Sequence, residues 1–373
     1  MNILFITYGL YPCNTGGTEI FNYYLAKELA KSHNIFIMTC CKEEIDMDAV
    51  IIRIDRKKLL TGRISIPLLS FLNLLKLRNK IDVIHLPYMS PDWLAWIPVL
   101  IANKIFSIPY IISIRGGGMR TWKPEFPYKY LFSNASEIIG VSDRLKDEYE
   151  RRTGRGIKYI PSGLPFNRCK EKKKALRDKY GFGLSDIIII FIGSLKKIKG
   201  SDILLKAFIQ LGEQYIRRHN LKLLFVGDGE MRRDLEFEIK EEKLSEHVKF
   251  LGRVLYKDIP ELYKIADLYI IPSLFEGMSN ALLEAMFNEV PIIGNDVSGI
   301  SNMIDHEKNG LLFKQNSYYD LKDKIKCLIE NKDLADKIAR EARRTYDANY
   351  WYESVVNQYE EIYETVGRVQ KSE

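Results

Sequence analysis

The feature that most constrains the fold is an alternation that runs through the chain twice. Short, continuous apolar runs rich in Val and Ile recur at 2–8, 35–40, 50–54, 82–86, 109–114, 137–141 and 157–160. They recur again at 187–193, 221–226, 248–251, 268–271, 291–294 and 311–313. Amphipathic stretches such as 18–31, 201–218, 230–243 and 258–266 lie between them. A strand buried on both faces reads as an unbroken apolar run, the condition of a parallel sheet sandwiched by helices. The pattern breaks at the polar, basic stretch "NRCKEKKKALRDKYGFG", 167–183, and then restarts. The expectation is an α/β chain of two doubly wound domains, 1–166 and 184–348, joined by a linker at 167–183. The tail "YWYESVVNQYEEIYETV" repeats apolar residues at helical spacing. A helix over 349–366 that packs back on the first domain is therefore expected. Ligands of such sheets bind beyond the carboxyl ends of the strands, so the expected site is a cleft faced by both domains.

A length of 373 residues suits two domains, and 46% apolar with 28% charged residues is the balance of a soluble globular protein. The five cysteines, Cys13, Cys40, Cys41, Cys169 and Cys327, form no CxxC pair. Their spacing reads as reduced and cytosolic, with no disulfide framework and no zinc site. The five histidines are scattered, and none forms a metal-ligand pair. The opening "MNILFITYG" reads as a strand and has none of the features of a secretory leader. The longest apolar region, Trp93 to Ser113, is broken by Pro98, Lys104 and Pro109. It reads as a helix followed by a strand and not as a membrane span.

Charge is uneven. Between Arg53 and Lys80 stand Arg53, Arg56, Lys57, Lys58, Arg63, Lys76, Arg78 and Lys80 against Asp55, a surplus equal to the net charge of +7 on the whole chain. The interior of that segment, "ISIPLLSFLNLLKL", is apolar. Two readings stay open: an interfacial helix on an anionic membrane, or a core-facing helix with solvated ends. No recognition motif accompanies the charge, so nucleic acid is not expected as a partner.

Several strand-to-helix turns carry glycine and charge. Gly16 and Gly17 precede Thr18 in "CNTGGTEIF"; backbone N–H groups at a helix N-terminus attract anions, and glycine permits close approach. In "FIGSLKKIKGSDILLKAF", Lys196, Lys197 and Lys199 follow the strand before Gly200, and Ser201 or Asp202 is the expected cap. That turn reads as a phosphate cradle or as a solvated lysine loop. "VGDGEMRRDLE" begins a dinucleotide fingerprint with Gly227 and Gly229 but has Arg232 where the third glycine belongs, so an NAD site is not supported. "IISIRGGGMR", 111–120, places three glycines between Arg115 and Arg120. It reads as a cleft-lining loop of the first domain or as a plain turn.

The sharpest feature is "PSLFEGMSNALLEAM", 272–286. Glu276 lies on a strand-to-helix loop. Glu284 lies in the first turns of the following helix, which Ser279 or Asn280 caps. Leu282, Leu283, Ala285 and Met286 surround Glu284 and imply partial burial. A buried carboxylate needs a partner, and the vicinal hydroxyls of a ribose fit.

This stretch resembles the E-x7-E signature of the retaining glycosyltransferases of family four. The similarity continues through "GSLKKIKGSDILLKAF", "VGDGEMRRDLE", "VKFLGRVLYKDIPELYKIADLYIIPS", "EVPIIGNDVSGISNMI" and "NGLLF". It is looser over 1–165, in "NTGGTEIFNYYLAKELA", "GVSDRLKDEY" and "YIPSGLPFN". The resemblance implies the GT-B architecture: two Rossmann-like doubly wound domains facing an inter-domain cleft, with the acceptor on the N-terminal side and the nucleotide-sugar on the C-terminal side. It also implies a retaining transfer of a sugar from a nucleoside diphosphate-sugar, with UDP favoured over GDP, to a hydroxyl of a glycan or lipid-linked acceptor. Cell-envelope polysaccharide or glycolipid synthesis is the implied setting. The protein would be cytoplasmic and peripheral on the inner face of the membrane through 53–80.

By the same resemblance Glu284 holds the ribose and Glu276 contacts the donor sugar. Gly277, Met278 and Ser279 offer backbone groups to sugar and phosphate. Lys199 pairs with the diphosphate, Arg253 and Val254 border the base, and Gly16 and Gly17 close on the donor phosphate. No metal and no cofactor beyond the co-substrate are implied, because lysine and backbone donors carry the leaving-group charge. Two positions depart from the family. Ser194 stands where Arg is usual, which removes one diphosphate contact. Arg115 stands where His is usual, and its planar fork suits a carboxylate or phosphate on donor or acceptor. The Ser194 departure and the basic segment leave open another class of function, a catalytically weak partner subunit that binds membrane or another transferase.

Overall fold

The computed structural model describes residues 1–55, 62–87, 96–115 and 128–372. They fall into two compact units, Met1–Pro165 with Tyr352–Glu373, and Phe166–Trp351. In the first unit the strands are β1 (Asn2–Ile6), β2 (Asn34–Thr39), β3 (Val50–Arg53), β4 (Val83–Leu86), β5 (Tyr110–Ile114), β6 (Glu137–Gly140) and β7 (Lys158–Tyr159). They pair in the order β3-β2-β1-β4-β5-β6-β7, all parallel. The helices of this unit are α1 (Gly17–Leu29), α2 (Gly62–Leu77), α3 (Ile97–Phe106), α4 (Tyr128–Asn134), α5 (Asp143–Thr153) and the C-terminal helix, Tyr352–Ser372.

The second unit repeats the plan. Its strands are β8 (Ile187–Ile192), β9 (Leu221–Val226), β10 (Val248–Gly252), β11 (Leu268–Ile271), β12 (Ile292–Asn295) and β13 (Leu311–Phe313). They are ordered β10-β9-β8-β11-β12-β13 and again parallel. Its helices are α6 (Lys173–Tyr180), α7 (Ser201–Ile209), α8 (Glu213–Arg218), α9 (Arg232–Glu241), α10 (Ile259–Ile265), α11 (Asn280–Phe287), α12 (Tyr318–Glu330) and α13 (Lys332–Asn349). Side chains alternate across the sheet. Ile188, Ile190, Leu224, Val226 and Tyr269 enter one core, and Ile189, Phe191, Leu223, Phe225 and Ile270 enter the other. Both faces are dry, which is why these strands read as unbroken apolar runs. The strand order reverses between β8 and β11, and at that switch point the flanking loops diverge and leave room for a ligand.

Every apolar run named above forms a strand, and three expectations are corrected. Residues 167–183, expected as a linker, include α6 and pack into the second unit. Leu176 and Phe182 are buried there, and the Arg177 guanidinium donates to Leu184 O at 2.8 Å, Ile265 O at 3.1 Å and Asp267 Oδ2 at 2.6 Å. The stretch 201–218 is two helices because Gly212 takes φ 82° between α7 and α8. The cysteines are not all reduced: Cys13 and Cys41 form a disulfide, with Cα atoms 5.6 Å apart. Cys13 follows β1 and Cys41 follows β2, and the pairing of these strands brings the two loops together. Cys40, Cys169 and Cys327 are free.

Candidate active site

The switch point of the second unit is built from three loops. The first leaves β8 and runs to α7. Gly200 has φ 68°, and a Cβ there would fall 2.1 Å from Pro272 O, so only glycine lets this loop lie against the one after β11. A backbone hydrogen bond joins the two, Leu274 N donating to Ile198 O at 2.9 Å. From the other side the buried Asn295 amide donates to Ser273 O at 3.1 Å. Gly299, at φ 92°, closes the base; its Cβ would stand 2.2 Å from Glu276 O. Glu276 therefore stands on backbone that its neighbours hold from both sides.

Onto that frame Lys199 and Glu276 project together, with Nζ 2.6 Å from Oε1. The lysine side chain is 30% exposed and the carboxylate 11%. An ion pair in so partly desolvated a position is strengthened by its surroundings and yet open to an incoming anion. Four residues beyond Glu276, α11 begins under the cap expected of Ser279, whose Oγ accepts from Leu282 N at 3.3 Å. Eight positions beyond Glu276, Glu284 is buried on this helix. Burial pushes its carboxyl from the ordinary 4.5 up to about 8, against the opposing pull of the neighbouring Tyr263 and Tyr256 hydroxyls. The Tyr263 hydroxyl donates to Ala281 O at 2.7 Å. With its proton so placed, its oxygen is left to accept from a protonated Glu284.

The neighbouring positions divide by exposure. Gly277 and Ser279 are buried, Met278, Ser194 and Val254 are half-buried, and Arg253 is exposed. Lys196 and Lys197 are exposed on the α7 loop. The cap of α7 is Gly200, without a side-chain hydrogen bond; neither Ser201 nor Asp202 supplies it, which corrects the expectation above. The interrupted glycine motif at 227–229 serves structure: Leu195 N donates to Asp228 O at 3.0 Å and Met231 N to Leu195 O at 2.9 Å, tying that loop under the lysine loop. Among the described residues no group of three or more His, Cys, Asp and Glu side chains is arranged to hold a metal ion. The tyrosines around Glu284 were not singled out by the sequence, where Tyr256, Tyr263 and Tyr269 look like ordinary core residues.

In the first unit Gly16 caps α1 without a side-chain hydrogen bond, and Glu19 stands in the first turn. Gly16 and Gly17 are exposed. Arg115 is 8% exposed. Its guanidinium lies over the Phe21 ring, 3.3 Å from the centroid, and donates to the Tyr359 hydroxyl at 3.4 Å and to Ser162 Oγ. Burial lowers it to about 10, and Tyr359 opposes the shift. A two-pronged clamp on a ligand would have to displace both partners. The same network includes His85, whose Nε2 meets Ser113 Oγ at 2.7 Å and whose Nδ1 meets the Tyr363 hydroxyl at 2.7 Å. Burial first, and the Arg115 charge second, hold that imidazole down near 3. Tyr359 and Tyr363 come from the C-terminal helix, which is thereby locked to β4 and β5. The glycine run 116–118 and Arg120 lie outside the described residues.

Two parallel doubly wound units, the second with a cationic turn and paired acids at its switch point, define a GT-B glycosyltransferase. Residues 172–345 match the family model described as glycosyl transferases group 1, and residues 15–168 match that of glycosyltransferase family 4. The chain belongs to the family-four type of glycosyltransferase. Its curated relatives include the Campylobacter jejuni GalNAc-alpha-(1->4)-GalNAc-alpha-(1->3)-diNAcBac-PP-undecaprenol alpha-1,4-N-acetyl-D-galactosaminyltransferase, 25% identical over 91% of this chain and 92% of that one. The alpha-D-kanosaminyltransferase of Streptomyces kanamyceticus is 23% identical over 78% of this chain and 80% of its own length. Among solved structures, a sucrose-phosphate synthase from Thermosynechococcus elongatus superposes with a TM-score of 0.82 at 18% identity over 99% of both chains. HepE of Anabaena, solved with UDP-glucose, gives 0.78 at 20% identity over 98% of this chain and 100% of that one.

Proposed function

We propose that the chain is a retaining hexosyltransferase that takes its sugar from a nucleoside diphosphate-sugar, UDP in preference to GDP. The acceptor is a hydroxyl of a glycan or lipid-linked saccharide of the cell envelope. The observation that carries the reading is the placement of Lys199, Glu276 and Glu284 around one switch point. In this reading the diphosphate takes Lys199 away from Glu276 and settles at the start of α7, with Lys196 and Lys197 replacing the arginine that Ser194 lacks. The freed Glu276 carboxylate turns to the sugar. Glu284 loses its proton and accepts both ribose hydroxyls. Gly277, Met278 and Ser279 approach sugar and phosphate, and Arg253 with Val254 borders the base. The C1–O bond to the diphosphate breaks, a bond from C1 to the acceptor oxygen forms on the same face, and the acceptor proton passes to the leaving phosphate oxygen. Lysine and backbone donors carry the leaving-group charge without a metal. Gly16 and Gly17 are the first unit's contribution to the donor phosphate. Arg115 serves by holding the C-terminal helix, and its charge biases the first unit toward an anionic ligand.

Attachment to the inner face of the cytoplasmic membrane belongs to the same proposal. Leu68 and Leu72 on α2 are 40% and 45% exposed, Ile105 on α3 is 66% exposed, and Lys76, Arg78, Lys80 and Lys104 are exposed beside them. No helix among the described residues is long and apolar enough to cross a membrane. Residues 56–61, which hold part of the basic run, lie outside the described residues.

The test is a thermal-shift screen of nucleoside diphosphate-sugars, followed by proton NMR of donor turnover with undecaprenyl-linked and free saccharide acceptors. A UDP-sugar that stabilises the protein and is consumed supports the reading. Binding without any turnover or donor hydrolysis favours the weak partner subunit, and no binding of any nucleotide removes both.

A further inference from the structure

We propose that Cys13 and Cys41 form a thiol–disulfide exchange site, opened by a dithiol reductant, that fixes or frees the Gly16–Gly17 turn at the start of α1. Leu10 is 1% exposed and Ile20 5%, and none of residues 11–19 between them is buried. The bridge takes hold in the middle of this thinly anchored segment. Tyr11 ties the segment to its own helix, its ring centroid 5.2 Å from that of Tyr23. Cys13 ties it across to the loop after β2, through the S–S bond to Cys41 and through Glu43 N, which donates to Cys13 Sγ at 3.5 Å. Asn14, Thr15, Gly16 and Gly17 follow directly, and all four are exposed. A segment with few buried contacts opens locally at low cost, so the order of this turn depends on the crosslink.

Three features separate this bridge from a permanent crosslink. The sheet does not depend on it: β1 and β2 pair in register from Asn2 with Asn34 to Ile6 with Met38, and Cys40 N donates to Tyr8 O at 3.3 Å beyond them. A reductant reaches it: Cys13 is half-buried, and both bridged residues line an open cavity of about 470 Å³. The sulfur it releases is stabilised, because the Glu43 N–H at Cys13 Sγ favours the thiolate. In the exchange a reductant thiolate attacks Cys13 Sγ, the S–S bond breaks, and Cys41 leaves as a thiolate that takes up a proton. The second thiol of the reductant then displaces Cys13 and closes the reductant's own disulfide, so that two electrons and two protons pass to the protein. The consequence for transfer rests on the reading above, in which Gly16 and Gly17 meet the donor phosphate. A bridged turn is ordered before the donor arrives, and a freed turn must be ordered by it.

The test equilibrates the full chain with mixtures of oxidised and reduced dithiothreitol and counts free thiols by alkylation and mass spectrometry. The oxidising end should show only Cys40, Cys169 and Cys327 free, and the reducing end all five cysteines, with a reversible two-electron transition between them in the folded protein. Hydrogen exchange of the ligand-free protein should quicken about tenfold over 11–17 on reduction, with β1 and β2 unchanged; this readout is independent of the donor reading. Turnover of the donor sugar should fall about tenfold on reduction and return on reoxidation. Cys13→Ser with Cys41→Ser should copy the reduced state and ignore dithiothreitol, and Cys13→Ser alone serves if the double variant does not fold. Cys40→Ser should respond as wild type does. Five free thiols at the oxidising end, a bridge that opens only in denaturant, or a response lost in Cys40→Ser overturns the site. Exchange over 11–17 that ignores reduction overturns the hold on the turn. Where exchange responds, unchanged or raised turnover overturns the coupling to transfer, and absence of turnover in both states strikes the donor reading alone.

Discussion

If Glu284 holds the ribose as proposed, nucleotide binding is a proton-linked event whose size follows from the burial of that carboxyl. The ligand-free carboxyl is held up at about 8. A vicinal diol that donates two hydrogen bonds requires the carboxylate, so binding at lower pH must first remove a proton. If the bound carboxyl returns to the ordinary range, ionisation costs about 1.4 kcal/mol at pH 7 and about 2.7 at pH 6, roughly 10-fold and 100-fold in affinity. Calorimetry of UDP binding at pH 6, 7 and 8.5, each in two buffers of different ionisation enthalpy, reads the affinity and the proton count together. About 0.9 proton should be released per UDP bound at pH 7. Glu284→Gln is the control, because the terminal phosphate of UDP titrates identically in both proteins. Affinity of the variant should be weaker at pH 8.5 and free of the extra slope. The stability sign is opposite. A carboxyl raised on folding stabilises most below its ordinary value, and that contribution is lost as pH rises to about 8. The melting temperature of ligand-free Glu284→Gln should therefore gain on wild type between pH 5 and pH 8. Parallel pH slopes in the two proteins would refute the reasoning.

Other expectations follow from contacts already described. Lys199→Ala should weaken UDP binding by ten-fold or more, a loss of roughly 1.5–3 kcal/mol for a charge-assisted contact, as measured by the same calorimetry. Gly200→Ala puts a Cβ 2.1 Å from Pro272 O at a left-handed φ. It should cost about 1–3 kcal/mol in urea denaturation and lower turnover by moving the Glu276 loop. Tyr363→Phe removes the hydroxyl on His85 Nδ1 and should destabilise the protein by about 1–3 kcal/mol, the cost of a buried unpaired nitrogen. A chemical-denaturation shift below 0.5 kcal/mol, within the range of ordinary surface changes, would remove the locking role of the C-terminal helix.

The strands were legible because both faces of each sheet are covered, so no polar residue interrupts Ile187–Ile192 and Lys222 alone interrupts Leu221–Val226. What stayed hidden depends on distant partners. Arg177 looks like one more charge in a linker, yet it is 3% exposed and satisfies carbonyls from two loops. The Cys13–Cys41 bridge follows from β1 lying beside β2, which spacing along the chain does not reveal. At the site, Lys199, Glu276 and the Ser279 cap were readable, because strand ends and helix starts carry local signals. The loss of charge at Glu284 was not readable. Its apolar neighbours indicated burial, while Tyr263 reaches it through the packing of α10 on α11 and Tyr256 from the turn just before α10.

The central claim is that this switch point transfers sugar with retention. The most direct measurement is proton NMR of the first product formed from the UDP-α-sugar that binds, before mutarotation, with Glu276→Gln alongside. The account predicts that the α anomer accumulates first and that the variant loses about 100-fold or more in rate, ~2.7 kcal/mol of barrier, while still binding UDP. An initial β product, or a rate indifferent to Glu276, would contradict it.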